Sequence, residues 1–364
     1  MPQERVVYCT NVMASFARND LVLLKDHYKV HLFHFAPAHK IFTPFVMFKQ
    51  LIFLLRHLPG ASISITQFAG YHSVLAVLFG KLFKVPSLLI LGGTECVKFP
   101  SFGYGDHTRW PLGGLVRWSL ANATHLAPVD ECLVECDYRY ARDPRDPVRQ
   151  GYRGLFPGIG TPHTILTYGY DDTRFRPMGG REPGTFLTVS TMNAPNFFRK
   201  GADLVFEMAK RFPEHRFTIV GDSPGMEYPE IPNNLTLVRS VPYDELPGYY
   251  SRNTFYFQLS MWEGFPSAPC EAMLCGCIPI VSGVAALPEI VGEAGFILRN
   301  KDAELLENLI NKALRSDKVH LGQLARERIR HRWPRGARTG LIRLVDRLIG
   351  KEAAILPPGS KKPR

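Results

Sequence analysis

A strand, a tight turn and a helix are predicted by Thr254-Phe-Tyr-Phe-Gln-Leu-Ser260 and the run that follows, Glu263-Gly-Phe-Pro-Ser-Ala-Pro-Cys-Glu271. The first segment is apolar and aromatic, which is typical of a buried strand, and Pro266 and Ser267 are typical of a helix start. Such a turn directs free backbone N–H groups into a cleft at the positive end of a helix dipole, where phosphate binds well. The two carboxylates accept hydrogen bonds from sugar hydroxyls. The stretch therefore indicates a nucleotide-sugar site.

The same alternation of strand and helix runs along the whole chain. The pattern predicts strands at residues 6–10, 30–35, 62–66, 87–91, 124–128, 164–167, 186–190, 216–220, 235–238, 255–259, 278–281 and 295–298. It predicts helices at residues 15–27, 45–57, 71–83, 112–122, 129–141, 201–212, 243–251, 267–275 and 302–316. Regular alternation favours an α/β fold with parallel sheets and helices on both faces.

A length of 364 residues suits two such domains. We predict a first Rossmann-like domain over residues 1–172 and a second over 183–332. Asp, Gly, Pro and Arg cluster between them, at 171–183, which predicts the hinge. Residues 142–162, rich in Arg, Pro and Gly, are expected to form a long mobile loop. A ligand cleft is expected between the domains, at the carboxyl ends of the strands.

Composition and charge narrow the classes of protein. The chain opens directly on a strand pattern and has no apolar run long enough to span a bilayer, so we expect a cytoplasmic protein. Its seven cysteines are scattered and odd in number, which fits a reducing compartment. The net charge of +11 comes from surpluses at residues 1–100 and 326–364. One basic face would favour an anionic partner, either acidic lipid on the inner face of a membrane or a phosphate-bearing acceptor.

Five further stretches of the chain form a set of motifs together with the run at residues 263–271. They are Tyr168-Gly-Tyr-Asp-Asp-Thr-Arg-Phe-Arg-Pro177, Phe198-Arg-Lys-Gly-Ala-Asp-Leu204, Phe217-Thr-Ile-Val-Gly-Asp222, Val241-Pro-Tyr-Asp-Glu-Leu246 and Leu287-Pro-Glu-Ile-Val291. Together with the Glu-x7-Glu run of residues 263–271, they resemble the motifs of family 4 glycosyltransferases with the GT-B fold. The resemblance is dense over residues 163–300 and thinner before them.

The resemblance implies a retaining transfer of sugar from a nucleotide-sugar, UDP- or GDP-linked, to a glycan or glycolipid acceptor. It implies two Rossmann-like domains facing a central cleft, with a C-terminal helix, residues 333–352, crossing back to the first domain and a disordered tail at 353–364. By the same resemblance, Glu271 holds the ribose hydroxyls and Glu263 the transferred sugar. Backbone groups of Phe265, Ser267 and Ala268 contact sugar and phosphate; Pro266 has no N–H to donate. Gly221 and Val241 complete the donor side.

Arg199 and Lys200 are the predicted partners of the diphosphate. Two cations before a helix suit a leaving group whose charge grows as the sugar–phosphate bond breaks. Lys200 matches the family in register, whereas the earlier position that often holds an arginine is Thr191 here. Either Arg199 replaces that arginine or Lys200 serves alone. The opposing interpretation of this pair is a solvated helix start. For Glu263 and Glu271, the opposing interpretation is that the two carboxylates only cap a helix.

The acceptor side is predicted from Leu91-Gly-Gly-Thr-Glu-Cys96, which follows the fourth strand. Many members of the family carry a histidine near this point, and Gly92 or Gly93 stands here instead. Glu95 or His72 are candidates to compensate, although His72 is equally well explained as a polar residue at a helix start. Ser15, in the turn after the first strand, either approaches the ligand or caps a helix.

Other classes are less favoured. The chain has no Gly-x-Gly-x-x-Gly, which argues against a dinucleotide oxidoreductase, and no Asp-x-Asp, which argues against a metal-bridged diphosphate. Cofactor and metal are therefore not expected beyond the nucleotide-sugar co-substrate. A catalytically inactive nucleotide-sugar-binding protein stays open. A nucleic-acid-binding protein rests on net charge alone, because no base-reading motif supports it.

The segment 42–58 is the most apolar helical stretch, interrupted by Lys49 and Arg56. Two interpretations stay open for it: a helix that packs into the core of the first domain, which we favour, or a helix that rests on a membrane surface.

Overall fold

Two parallel β-sheets frame the protein in the computed structural model, which describes residues 3–351. The first sheet has five strands, in the order β2 (Lys29–His34), β1 (Arg5–Thr10), β3 (Ile63–Gln67), β4 (Ser87–Leu91) and β5 (His125–Pro128). The second has six, in the order β10 (Leu235–Arg239), β9 (Arg216–Asp222), β8 (Glu182–Met192), β11 (Asn253–Gln258), β12 (Ile278–Ser282) and β13 (Phe296–Leu298). Every neighbouring pair in both sheets is parallel. The predicted α/β architecture of two Rossmann-like domains is confirmed. The predicted tail, residues 353–364, lies outside the described residues.

The first domain is built in the order expected of repeated strand-helix units. Its elements are β1 Arg5–Thr10, α1 Ser15–His27, β2 Lys29–His34, α2 Thr43–His57, β3 Ile63–Gln67, α3 Tyr71–Phe83, β4 Ser87–Leu91, α4 Leu112–Asn122, β5 His125–Pro128, β6 Cys136–Asp137, β7 Arg149–Gln150 and α5 Tyr152–Leu155. Strands β3 and β4 are buried along their whole length, because helices cover both faces of the sheet.

The second domain has the same alternation of strands and helices. Its elements are β8 Glu182–Met192, α6 Ala194–Arg199, α7 Ala202–Arg211, β9 Arg216–Asp222, β10 Leu235–Arg239, α8 Leu246–Arg252, β11 Asn253–Gln258, α9 Ser267–Leu274, β12 Ile278–Ser282, α10 Leu287–Val291, β13 Phe296–Leu298, α11 Ala303–Arg315 and α12 Lys318–Arg332. Asn193, Asp302 and Asp317 cap the N-termini of α6, α11 and α12 by accepting from backbone N–H groups.

The C-terminal segment returns to the first domain, as expected. After α12, helix α13 Gly340–Leu348 packs against α1. The contact is anchored by Arg338, whose guanidinium donates to both carboxylate oxygens of Asp20 at 2.7 and 2.6 Å. The Tyr28 hydroxyl also donates to Asp346 at 2.9 Å. A buried bidentate ion pair therefore joins the end of the chain to the first domain.

Two element predictions are wrong. Residues 129–141, expected as a helix, contain only a single 3₁₀ turn, Glu131–Leu133, followed by the short strand β6. Residues 164–167, expected as a strand, run beside β5 without joining the sheet as a strand. Thr164 and Leu166 donate backbone hydrogen bonds to that strand. In both places a locally plausible pattern gives way to tertiary packing.

Residues 142–162, expected as a mobile loop, are folded against the first domain. Strand β7 pairs antiparallel with β6, and α5 follows it. Asp146 accepts from the backbone N–H of Ser101 at 2.9 Å, and Gln150 bonds both the N–H and the carbonyl of Lys98. Buried side chains and the short β6–β7 pairing together hold this segment in place.

Candidate functional site

The carboxyl ends of β8 and β11 place the predicted diphosphate ligands beside the predicted sugar ligand. The chain leaves β8 through the short helix α6, so Arg199 ends that helix and Lys200 precedes α7. Gly201 follows with a φ of +73°. A Cβ at Gly201 would lie 2.2 Å from the carbonyl oxygen of Leu259, just beyond β11. Only glycine allows this approach, which brings Lys200 next to the turn that carries Glu263.

Lys200 and Glu263 form an ion pair, with Nζ and Oε1 2.5 Å apart and side-chain exposures of 17% and 12%. The same Oε1 accepts from Gln258 Nε2 at 2.9 Å and from the Ser260 hydroxyl at 2.7 Å. Burial by itself would raise the pKa of Glu263, but Lys200, the Ser260 hydroxyl and the charge of Arg199 hold the pKa below its ordinary value. Three donors converge on one oxygen, so Oε2 keeps its acceptor capacity for a ligand.

Arg199 lies between the two domains. Its guanidinium donates to Asn196 Oδ1 at 2.6 Å and stands 4.8 Å from the centre of the Tyr104 ring, which belongs to the first domain. A cation over an aromatic face is stabilised by the ring quadrupole. The predicted second cation is therefore present beside Lys200, and the first domain helps to hold it.

Glu271 is the fifth residue of α9, beyond the first turn, so helix capping does not account for it. Its carboxylate accepts from the Tyr243 hydroxyl at 2.9 Å and from the Tyr250 hydroxyl at 3.1 Å. Burial raises the pKa of Glu271 to about 7, against the lowering effect of the two tyrosines. The side chain of Tyr243 is partly exposed, so a ligand hydroxyl that approaches Glu271 would meet this tyrosine.

The turn between the two glutamates packs against aromatic rings through Phe265 and is exposed to solvent at the start of α9. The ring of Phe265 is buried against Tyr170 and Trp333, with ring centres 6.4 and 5.4 Å away. Pro266 immediately precedes α9, whereas Ser267 is exposed and Ala268 half-buried. Ser267, the first residue of α9, therefore lies at the surface, four residues after Glu263.

The first domain closes on this turn through Gly264. A Cβ on Gly264 would lie 2.1 Å from the Gly92 carbonyl oxygen, and the Cys132 thiol donates to the Gly264 carbonyl at 3.5 Å. The predicted acceptor-side turn at Gly92 and Gly93 thus contacts the predicted donor-side turn directly.

Glu95 is buried and supports that turn. Its two carboxylate oxygens accept from the N–H groups of Gly92 and Gly93 at 2.7 and 3.1 Å. Burial raises the pKa of Glu95 to about 7. Because both oxygens already accept backbone hydrogen bonds, the structure shows Glu95 positioning the Gly92–Gly93 turn.

The remaining predicted residues lie in different places. His72 is buried in α3, where Nε2 lies 2.9 Å from the Gln67 carbonyl, and burial lowers its pKa to about 4. Ser15 starts α1 with an exposed side chain. Gly221 lies near the end of β9 against the backbone of Ser190, and Val241 is half-buried just after β10.

Sequence reasoning missed several partners that the structure brings into the site: Tyr104, Asn196, Tyr243, Tyr250, Gln258 and Ser260. Gln258 is the last residue of β11 and Ser260 lies two residues beyond it, so the polar end of this apolar stretch was the available signal. Tyr104 lies in the Gly-rich loop of residues 102–109, which was expected to shape the acceptor pocket, but its contact with Arg199 of the other domain had no local signal.

Within residues 3–351, no three His, Cys, Asp or Glu side chains lie close enough together to hold a metal ion. Among the helices of that same range, none has the length and apolar character needed to cross a membrane.

Comparison with known proteins adds to this geometry. Residues 189–332 match the sequence-family model described as glycosyl transferases group 1. One component of the phosphatidylinositol N-acetylglucosaminyltransferase of Arabidopsis thaliana is 24% identical over 155 residues, which are 40% of this chain and 34% of that protein. O-antigen chain mannosyltransferase B of Escherichia coli is 35% identical over 77 residues, 21% of this chain and 20% of that protein. The matches thus span about a third and a fifth of those two relatives.

Solved structures resemble the chain over nearly its whole length. Sucrose-phosphate synthase from Thermosynechococcus elongatus has a TM-score of 0.74 at 15% identity, covering 96% of this chain and 100% of that one. HepE of Anabaena in complex with UDP has a TM-score of 0.65 at 12% identity, covering 94% and 100%. The catalytic domain of starch synthase IV from Arabidopsis thaliana, bound to ADP and acarbose, has a TM-score of 0.66 at 12% identity, and the match covers 96% of this chain and 100% of that one. At these identities the likeness establishes the shared GT-B fold.

Proposed function

We propose that the protein is a glycosyltransferase that moves a sugar from a UDP- or GDP-sugar to a glycan or glycolipid acceptor. The observation that carries the proposal is the Lys200–Glu263 ion pair at the domain interface, opposite the Gly92–Gly93 turn. The group 1 match over residues 189–332 and the nucleotides bound by HepE and starch synthase IV support it.

In this proposal Lys200 and Arg199 neutralise the diphosphate of the donor. Negative charge grows on the leaving phosphate as the glycosidic bond breaks, and two cations in a partly buried site stabilise that charge. A bound diphosphate would share Lys200 with Glu263. Because the cations lie at the domain interface, we propose that diphosphate neutralisation needs no metal ion.

Glu263 and Glu271 divide the rest of the donor between them. Oε2 of Glu263 is the free acceptor for a hydroxyl of the transferred sugar. Glu271, which already accepts from Tyr243, would accept hydrogen bonds from the ribose hydroxyls. The first N–H groups of α9 would bind the phosphates, because a helix N-terminus favours anions. Gly221 and Val241 then border the base.

Retention of configuration and the acceptor site are further parts of the proposal. The acceptor enters from the first domain, past Gly93, with Glu95 holding that turn in place. His72 and Ser15 stay predicted acceptor-side residues. The partners proposed are a glycan or glycolipid and an anionic membrane surface, not nucleic acid, and the proposed location is the cytoplasm or the inner face of its membrane.

A donor panel tests the proposal. Thermal unfolding and hydrolysis are measured with UDP-, GDP-, ADP- and TDP-sugars, with and without EDTA, on wild type, Glu271→Ala and the exposed control Glu304→Ala. A stabilising shift with one donor that survives EDTA, persists in Glu304→Ala and disappears in Glu271→Ala supports the donor site and metal independence. Binding without hydrolysis or transfer to any acceptor favours the inactive nucleotide-sugar-binding alternative. The absence of a shift with every donor would refute the nucleotide-sugar proposal.

A further inference from the structure

Helix α2 is apolar on two opposite sides. One side, with Gln50 and Leu54 fully buried, packs against the first domain. The other side carries Phe45, Phe48, Ile52 and Leu55, whose exposed fractions lie between 49% and 57%. Helix α2 therefore packs into the core of the first domain, as expected, and its opposite side is exposed as well as apolar.

The exposed apolar side extends beyond α2. Ile41 and Phe42, immediately before the helix, are 81% and 50% exposed. Helix α3 packs beside α2 and exposes Leu78 and Leu82. We call Phe42, Phe45, Phe48, Ile52 and Leu55 the α2 surface. Contiguous apolar exposure of this kind marks a binding surface rather than ordinary scatter of apolar residues.

The charge around the α2 surface has one sign. Residues 27–94 contain no Asp or Glu at all. The cations of that segment are Lys29, Lys40, Lys49, Arg56, Lys81 and Lys84. Among residues 3–351, Lys49, Arg56 and Lys84 form no ion pair with a carboxylate, and Lys49 Nζ stands 4.5 Å from the centre of the Phe45 ring. A surface of aromatic and aliphatic side chains with unpaired cations suits an interface that is apolar inside and anionic outside.

We infer that the α2 surface rests on a lipid bilayer that contains anionic lipid. The phenylalanines would enter the acyl boundary while Lys49 and Arg56 remain among the headgroups, because long basic side chains reach outward to polar groups. A second copy of this chain suits the surface less well. A symmetric dimer would bring the unpaired cations of two copies together without any carboxylate between them.

The N-terminal part of the α2 surface, with Phe42 and Phe45, also lies toward the cleft edge of the first sheet. Helix α2 follows the carboxyl end of β2, and Gln50 donates to the His72 carbonyl at the start of α3, which follows the carboxyl end of β3. The carboxyl ends of parallel strands share one edge, the edge that faces the cleft. If the proposed function holds, a membrane-docked α2 would present the cleft to acceptors held by the same bilayer, which deepens the proposal toward a lipid-linked acceptor.

Vesicle co-sedimentation tests the docking. The full chain is incubated with phosphatidylcholine vesicles with and without phosphatidylglycerol. The variants are Phe45→Ser/Phe48→Ser, Lys49→Gln/Arg56→Gln and, as a control, Val319→Ser, which is 72% exposed in the second domain. We expect wild type and control to bind only the anionic vesicles. Loss of two cations should weaken binding about 30-fold, and loss of the two phenylalanines on the order of ten-fold or more.

Three outcomes would overturn the docking: equal binding to neutral and anionic vesicles, variants that bind like wild type, or a dimer that dissociates in Phe45→Ser/Phe48→Ser without vesicle binding by any form. Thermal unfolding checks that each variant folds. Donor binding without vesicles is measured separately and should be the same in all four proteins. If the wild type binds vesicles but no nucleotide-sugar donor, the proposed function is refuted and the docking inference is still supported.

Discussion

Replacing Lys200 by methionine removes the cation from the ion pair with Glu263 while keeping a long apolar stem. The remaining carboxylate would stay 12% exposed beside Gln258 and Ser260. Breaking one side of a buried ion pair costs about 3–5 kcal/mol of folding free energy. Two hydrogen-bond donors survive and the pair is not fully buried, so we expect Lys200→Met to lower the free energy of unfolding by about 2–3 kcal/mol at neutral pH.

The loss should depend on pH, with a sign that follows from Glu263. In the wild type its pKa lies below the ordinary value of 4.5, so its contribution is present above that value and is lost as pH falls through the folded pKa. In Lys200→Met, burial is opposed by fewer groups and should raise the pKa of Glu263. The destabilisation should therefore shrink as pH falls toward 4.5, where the carboxyl becomes protonated.

Urea unfolding at several pH values measures this effect. The double variant Lys200→Met/Glu263→Gln should be more stable than Lys200→Met alone, with a coupling of about 1–3 kcal/mol. Lys210→Met, at an exposed position of α7, should stay within about 0.5 kcal/mol of wild type. A Lys200→Met loss equal to that of the control, or one that grows as pH falls, would refute the account of the pair.

Three further predictions concern other parts of the structure. Gly264→Ala places a methyl group against rigid backbone of the first domain and should cost about 1–3 kcal/mol, read by urea unfolding. In the folded protein the pKa of Glu271 is raised from 4.5 to about 7, so its contribution to stability is complete below pH 4.5 and is lost as pH rises to about 7. Glu271→Gln should make the free energy of unfolding fall less steeply over this range. Part of the fall should remain, because the pKa of Glu95 is raised in the same way. Arg338→Met leaves Asp20 buried without its partner and should cost about 3–5 kcal/mol in thermal or urea unfolding.

Matched controls make these predictions specific. Gly93→Ala meets no atom within 4 Å, so it should change stability less than Gly264→Ala does. Arg335→Met, at an exposed cation 3.6 Å from Asp171, should stay within about 0.5 kcal/mol. If the exposed replacements cost as much as the buried ones, the packing and ion-pair arguments are wrong. A pH profile of Glu271→Gln that matches the wild type would contradict the assignment of that titration.

The sequence by itself determined the order of elements and much of the donor motif. Helices α1 and α3 begin and end where the apolar period predicted, because that period is a local property. The strand, turn and helix around Glu263 were also readable, since strand, proline and helix start are neighbours in the chain. The helix predicted at residues 129–141 does not form, because their apolar residues pack into the core without helical geometry.

Only the tertiary structure decided which side chains meet. Lys200 and Glu263 are 63 residues apart, and Tyr104 reaches Arg199 from the other domain. Strand order and domain closure create such contacts, and no periodicity encodes them. The exposed side of α2 has the same origin: its sequence is apolar on both sides, and only the position of the sheet determines which side is covered.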